Sequence, residues 1–222
     1  MVGWLKKLCV AAGALALAWA AQAQEFPVKP VRLVVPYVPG GGTDILARMF
    51  ANGLQEIWKQ SVVVEYKPGG GMIVGTDYVA KSPPDGYTIA MVATAHMINP
   101  SLHAKLPFDT VKDLSGVVLN STTHLVLLAY PGFEAKNIAE LVALAKKEPG
   151  KMSYASAGTG SSMHLAGELL KSTASVEIQH IPYKGGGPAF LDVIAGRIPF
   201  MFNPLYSSRS EEHTSELQSR LH

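Results

Sequence analysis

Val31-Arg-Leu-Val-Val-Pro-Tyr-Val-Pro-Gly-Gly-Gly-Thr-Asp, residues 31–44, passes from a nearly unbroken apolar run through a glycine triplet into a helical pattern. An apolar run of this kind is what a parallel strand covered on both faces requires, because neither face can be polar. The pattern that follows repeats Ile45, Leu46, Met49, Phe50, Leu54, Ile57 and Trp58 at helical spacing, which predicts one broad apolar helix face. Thr43 is suited to cap that helix, and Asp44 suits its positive end. The segment therefore reads as strand, tight loop, helix.

Working outward, the same unit recurs. Ser61–Tyr66 reads as a second strand, followed by Lys67-Pro-Gly-Gly-Gly and a short helix through Ala80. Pro83-Pro-Asp-Gly is a turn by composition, since proline presets φ and glycine accepts positive φ. Tyr87–Ala93 makes a third strand. Two more apolar runs, 116–119 and 125–129, lead to Tyr130-Pro-Gly, where a change of lobe is expected. Beyond it, Asn137 with Glu140 three residues later forms a capping box for a helix through Lys147, which Pro149-Gly150 stops. Then come a strand at 151–157, a loop from Gly158, a helix at 163–171, a strand at 177–183, a helix from Gly187-Pro188 to Gly196, and a strand at 197–203. Alternating strands and helices predict an α/β protein with parallel sheets, divided as 24–127 and 128–208.

The two ends read differently. Lys6 and Lys7, the apolar Leu8–Ala20 and the small-x-small Ala21-Gln-Ala predict a cleavable export signal over residues 1–23, too short in its apolar part for a membrane anchor. The single cysteine, Cys9, falls within it, so the exported chain has no thiol for disulfide, catalytic or zinc chemistry. Residues 209–222 lack turn chemistry and apolar periodicity and resemble one reading frame of a sequencing adapter; they are expected to be foreign to the protein.

Composition narrows function. The chain has 222 residues, 48% of them hydrophobic, and a formal charge of +2 that includes Lys6 and Lys7. No clustered basic face suggests a nucleic-acid partner. The glycine triplet is followed by Thr43-Asp44 instead of a lysine, and Gly-x-Gly-x-x-Gly is absent, which argues against nucleotides. The histidines His96, His103, His124, His164 and His180 are too widely spaced for a metal motif, so no cofactor is expected. The loops at 40–44 and 158–164 each join a strand's C-terminal end to a helix start, where open α/β sheets bind ligands and where backbone N–H groups favour anions. Facing one another, the two could hold a carboxylate. An enzyme would instead use Ser161 or Ser162 as nucleophile with His164 as base, but no nucleophile elbow is present and His164 is poorly placed for that role. Asp44 reads equally as a helix-start residue and as a ligand residue acting through water.

Val35-Pro-Tyr-Val-Pro-Gly-Gly-Gly-Thr-Asp, Lys67-Pro-Gly-Gly-Gly, Ser82-Pro-Pro-Asp-Gly-Tyr-Thr, Ile98-Asn-Pro, Gly160-Ser-Ser-Met-His-Leu-Ala-Gly-Glu-Leu and Ile181-Pro-Tyr-Lys-Gly, in this order, resemble the substrate-binding proteins of tripartite tricarboxylate transporters, the TctC-like or Bug family. The resemblance implies a type 2-like periplasmic binding protein, a Venus flytrap of two α/β lobes. It would be a monomer that passes a small organic acid to membrane permease subunits and performs no chemistry on it. It also implies that Tyr37, Pro39, Gly40, Gly41 and Asp44 line the first lobe's side, with Thr94 and His96 bordering that wall. Ser161, Ser162, His164 and Tyr183 would line the second. A sensor presenting the bound acid to a signalling partner is the alternative. Phe202-Asn-Pro departs from the family's Phe-Asp-Asn, and family members continue through strands and helices that would complete both lobes. Both lobes are accordingly expected to be incomplete here, with unpaired edges on both sheets.

Overall fold

Val31, Val34 and Val35 are wholly shielded from solvent, as a strand covered on both faces demands. In the computed structural model, which describes residues 26–208, this strand is β1, Val31–Val35. It lies between β2 (Val62–Tyr66) and β3 (Thr88–Ala90), both parallel to it. The expected export signal at 1–23 and foreign segment at 209–222 lie outside the described residues.

The helix after β1 is α1, Gly42–Trp58, and its cap is Gly41, with no side-chain capping bond. Thr43, expected to be that cap, lies inside the first turn. From the first turn the Asp44 carboxylate reaches back to accept the Gly40 N–H at 2.8 Å, which ties the loop to the start of the helix. The buried stripe also differs from expectation. Ala47 and Ala51 are the shielded positions, while Met49 and Ile57 are 66% and 74% exposed. Small residues let the helix axis approach the sheet closely; Leu46, Leu54 and Trp58 pack beside them.

Next come α2 (Ile73–Ala80), entered through a turn at Gly70–Met72, and α3 (Ala95–Leu102). The third strand stops at Ala90 short of the expected Ala93, and α3 is a helix that the sequence pattern does not predict. The strand is only three residues long, and Thr94, without a side-chain capping bond, leads into a helix that tolerates Pro100 near its end. The apolar run at 116–119 forms no strand, and Val117 and Leu119 are 85% and 80% exposed.

The second sheet contains β4 (Leu125–Ala129), β5 (Ser153–Ser156), β6 (Gln179–Pro182) and β7 (Phe200–Pro204), in the order β4-β7-β5-β6. Only β4 runs antiparallel, against β7. Because β4 pairs here, the second sheet begins at Leu125, and the expected division between residues 127 and 128 falls inside that strand. Its helices are α4 (Ile138–Lys147), α5 (Ser162–Ala174) and α6 (Gly186–Ile194). The capping box is present: Asn137 accepts the Glu140 N–H at 3.0 Å, and Glu140 reaches back to the Lys136 N–H at 2.7 Å.

Strand alternation sorts the core. Tyr154 and Phe200 face an apolar cluster with Phe133, Leu141, Met152 and Ile178. Their neighbours Ala155 and Met201 face the opposite way, into a cluster continuous with β1 and α1 of the first sheet. Apolar packing therefore joins the two sheets directly. Among the described residues, no helix is long and apolar enough to cross a membrane.

Candidate functional site

Four parallel strands, β1 and β2 of the first sheet and β5 and β6 of the second, end at one place. The C-terminal ends of parallel strands are where open α/β sheets expose backbone for ligands. A cleft of about 370 Å³ lies there, walled by Pro36 and Tyr37 after β1, Gly69–Met72 after β2, Ala157–Thr159 after β5, and Pro182–Lys184 after β6, with His103 at its side. Its size is at the lower end of small-molecule sites, which run from about 300 to 1,000 Å³. None of the residues lining it is an aspartate or glutamate.

Glycine-rich turns from the two sheets meet in pairs, although the partners differ from the expected ones. The Gly40–Gly42 turn packs on the start of α6: a Cβ on Gly187 would stand 2.8 Å from the carbonyl carbon and oxygen of Gly40. The Gly158–Gly160 turn instead meets the turn after β2. Gly71 has φ 60°, and a Cβ there would stand 2.8 Å from the Thr159 carbonyl oxygen. Both its backbone conformation and this close approach select glycine. Asn99, 1% exposed, sits behind this junction and donates from Nδ2 to the Gly71 carbonyl at 2.8 Å. A further link crosses the seam where the Val38 N–H donates to the Lys184 carbonyl at 3.1 Å.

Of the expected site residues, Tyr37 and Tyr183 line the cleft. Burial pushes the Tyr37 hydroxyl far above its ordinary range, with Tyr206 adding to it. Burial and a 2.6 Å hydrogen bond to Asp192 lift Tyr183 to about 12. Both are therefore neutral walls near pH 7. Pro39 and Gly40 are exposed, and Gly41 belongs to the seam with α6.

Asp44, 5% exposed, is held from three sides: by the Gly40 N–H, by the Arg48 guanidinium at 2.8 Å and by the Tyr66 hydroxyl at 2.5 Å. Burial, the largest influence on it, raises its pKa. The hydrogen bonds from Tyr66, Gly40 and Arg48 and the Arg48 charge outweigh burial and leave the carboxyl lowered. Its acceptors serve the fold of the loop.

Thr94 and His96 lie at the start of α3 and not among the cleft residues. His96 stacks on Phe108, and burial lowers its pKa.

Ser161, expected as a ligand residue, caps α5 instead, accepting the His164 N–H at 3.2 Å. Ser162 is the first residue of α5. The His164 ring turns away from both serines: Nδ1 accepts the Gly160 N–H at 3.2 Å, Nε2 lies 3.9 Å from Glu168, and the ring stacks 4.1 Å from His180. Burial lowers His164, assisted by Lys171 and opposed by Glu168. His180, whose Nε2 lies 2.6 Å from the Ser156 hydroxyl, is lowered to about 4 by burial first and then by His164. The histidines thus form a partly buried stack under the Gly158–Gly160 turn. Among the described residues no three metal-ligating side chains gather.

The reading of the residues missed Gly69–Met72, Thr159, His103 and Lys184 as cleft residues. The signal for the first group was present: Lys67-Pro-Gly-Gly-Gly follows a strand and precedes a helix, the placement that singled out Gly40.

A sequence model described as the tripartite tricarboxylate transporter family receptor matches residues 46–219, running into the segment expected to be foreign. A UPF0065 protein from the tcbD-tcbE intergenic region of Pseudomonas sp. strain P51 is 40% identical over 184 residues, which are 83% of this chain and 55% of that protein. A solved structure described as a periplasmic transporter superposes with a TM-score of 0.79 at 39% identity, over 82% of this chain and 62% of that one. An R. palustris protein solved with adipate gives 0.78 at 31% identity, over 86% of this chain and 64% of that one. The chain thus spans a little over half the length of the Pseudomonas relative.

Proposed function

The chain belongs to the tripartite tricarboxylate transporter receptor family, and on that premise we propose that its cleft captures a small organic carboxylate in the periplasm and passes it, unreacted, to membrane permease subunits. One observation carries the reading. A cleft of about 370 Å³ is walled by backbone-rich turns from both sheets and lined by no carboxylate side chain. The Gly69–Met72 turn leads into α2, whose dipole is positive at that end; the Ile73 and Val74 N–H groups there are engaged by the Gly70 and Gly69 carbonyls. An anion's carboxylate fits such a place without any fixed positive side chain. The adipate-bound R. palustris neighbour supports the ligand class.

In this reading Tyr37 and Tyr183 touch the ligand beside Gly69–Met72, Gly158 and Thr159. Pro39, Gly40, Gly41, Asp44, Ser161 and His164 hold the turns in place, with Ser162, Thr94 and His96 outside the contact. A serine hydrolase is disfavoured because Ser161 is engaged with a backbone N–H and the His164 ring with Gly160. The protein is proposed to act as a monomer with no cofactor.

The test is a thermal-shift screen of mono-, di- and tricarboxylates at pH 7. A ligand at 100 times its Kd adds about 2.7 kcal/mol to the native state. For a chain of this size that raises Tm by about 5–10 °C. If no carboxylate at millimolar concentration moves Tm, the proposal fails.

A further inference from the structure

Two residues that carry basic side chains are among those lining the cleft, His103 beyond α3 and Lys184 beyond β6. Facing them are uncharged groups only: glycines, Thr159, the two tyrosines, prolines, Met72 and Ala157. The Lys184 backbone is fixed with respect to the opposite sheet. Its carbonyl accepts the Val38 N–H at 3.1 Å. Gly185, immediately after it, is buried at φ 149°, where a Cβ would stand 3.2 Å from Val38 Cγ2. The backbone that carries this cation is thereby held at the cleft lining by the same contact that joins the two sheets.

Lys67 and Lys171, by contrast, are neutralised: Lys67 pairs with Glu65 at 2.8 Å, and Lys171 with Glu168 at 2.8 Å. Lys184 pairs with no carboxylate among the described residues, and its side chain is exposed. A cleft whose backbone turns hold one carboxylate, with an uncompensated ammonium at its lining and no acidic side chain, is electrostatically incomplete when a monoacid fills it. Opposite charge at that point complements the site and discriminates between ligands.

We infer that Lys184 makes this cleft selective for diacids over monoacids by pairing with the ligand's second carboxylate. The inference rests on the carboxylate-capture reading above and deepens it. The glycine turns recognise one carboxylate whatever the ligand, and Lys184 decides whether a second negative group is rewarded.

The experiment compares succinate, glutarate and adipate with their monomethyl esters, which keep the length and remove one charge. Binding is measured calorimetrically on the wild-type protein, Lys184→Met and Lys184→Arg, at 20 and 300 mM salt. In the wild type the best diacid is expected to bind about tenfold more tightly than its half-ester, which corresponds to about 1.4 kcal/mol. The preference shrinks at the higher salt, because the pair is exposed. Lys184→Met is expected to bring the ratio to within about twofold, while Lys184→Arg keeps most of it by retaining the charge. Unliganded melting curves of the variants report folding separately from recognition. A Lys184→Met protein that folds and keeps the wild-type ratio overturns the inference while leaving carboxylate capture standing, as does a wild type that binds acids without regard to the second charge. A wild type that binds none of the six compounds overturns this inference, while the capture reading is decided separately by the wider carboxylate screen above.

Discussion

Replacing Gly187 by alanine tests whether the seam between the two sheets belongs to the binding-competent state. Gly187 is the second residue of α6, and a Cβ there would lie 2.8 Å from the carbonyl carbon and oxygen of Gly40 and 3.2 Å from the Gly41 nitrogen. Those atoms are backbone and cannot swing aside as the end of a side chain can. Reaching an ordinary contact of 3.4 Å requires the turn and the helix to part by about 0.6 Å, the difference between 3.4 and 2.8 Å. Overpacking of this kind costs about 1–3 kcal/mol. Gly187 is not at a positive φ, so its own backbone does not demand glycine. The cost therefore falls on the seam and not on the helix. If ligand is held only when the seam is closed, affinity falls by the same amount, about 5- to 150-fold. The assay is calorimetric titration with the best carboxylate from the screen, alongside urea unfolding. Gly53→Ala is the control, since a Cβ there meets nothing within 4 Å in the middle of α1. It should gain stability and bind as wild type does. Gly187→Ala binding within twofold of wild type would refute the reasoning.

Gly167→Ala should destabilise the fold itself, because a Cβ on α5 would lie 2.2 Å from the buried Tyr154 ring. A net loss of about 1–2 kcal/mol by urea unfolding is expected after the helix-propensity gain, and equal or greater stability would count against this packing. Asp44→Ala leaves the Tyr66 hydroxyl and the Gly40 N–H without their acceptor. A loss of about 1–3 kcal/mol is expected, read as a lower Tm, and an unchanged Tm would contradict the arrangement. His180 should make stability fall in acid. Its folded pKa of about 4 lies below the ordinary 6.5, so the unfolded chain takes up the proton more readily. The contribution is present above pH 6.5 and is lost as pH falls toward 4. Screening at this partly exposed site limits it to about 1–2 kcal/mol. Unfolding curves of wild type and His180→Gln between pH 7 and 4 should converge at the acid end; parallel curves would show that His180 does not titrate in this way.

Much of the molecule was legible because it depends on local rules. The β1 run is apolar at nearly every position because both its faces are covered, and no other strand type needs that. Asn137 announces a helix start because a side-chain oxygen one residue before a helix satisfies an N–H a few atoms away. Glycine after a strand marks a turn for the same local reason. These features require no knowledge of what lies across the molecule, and the strand-turn-helix order, most helices and the family resemblance follow from them.

The rest was settled by approach between distant segments. Nothing within residues 40–44 says that this turn meets Gly186 and Gly187, some 145 residues onward, in place of the serine-rich turn at 158–162. Nor does Asp44 announce that Tyr66 will donate to it, or His164 that it will stack on His180 and turn from the cleft. Apolar spacing in α1 likewise could not tell that Ala47 and Ala51 would take the deepest positions, leaving Met49 and Ile57 outside. Periodicity and capping are properties of a few consecutive residues. Which loops confront each other, and which side chains are consumed in holding them, depends on how two twisted sheets dock and on the register of strands far apart in the chain.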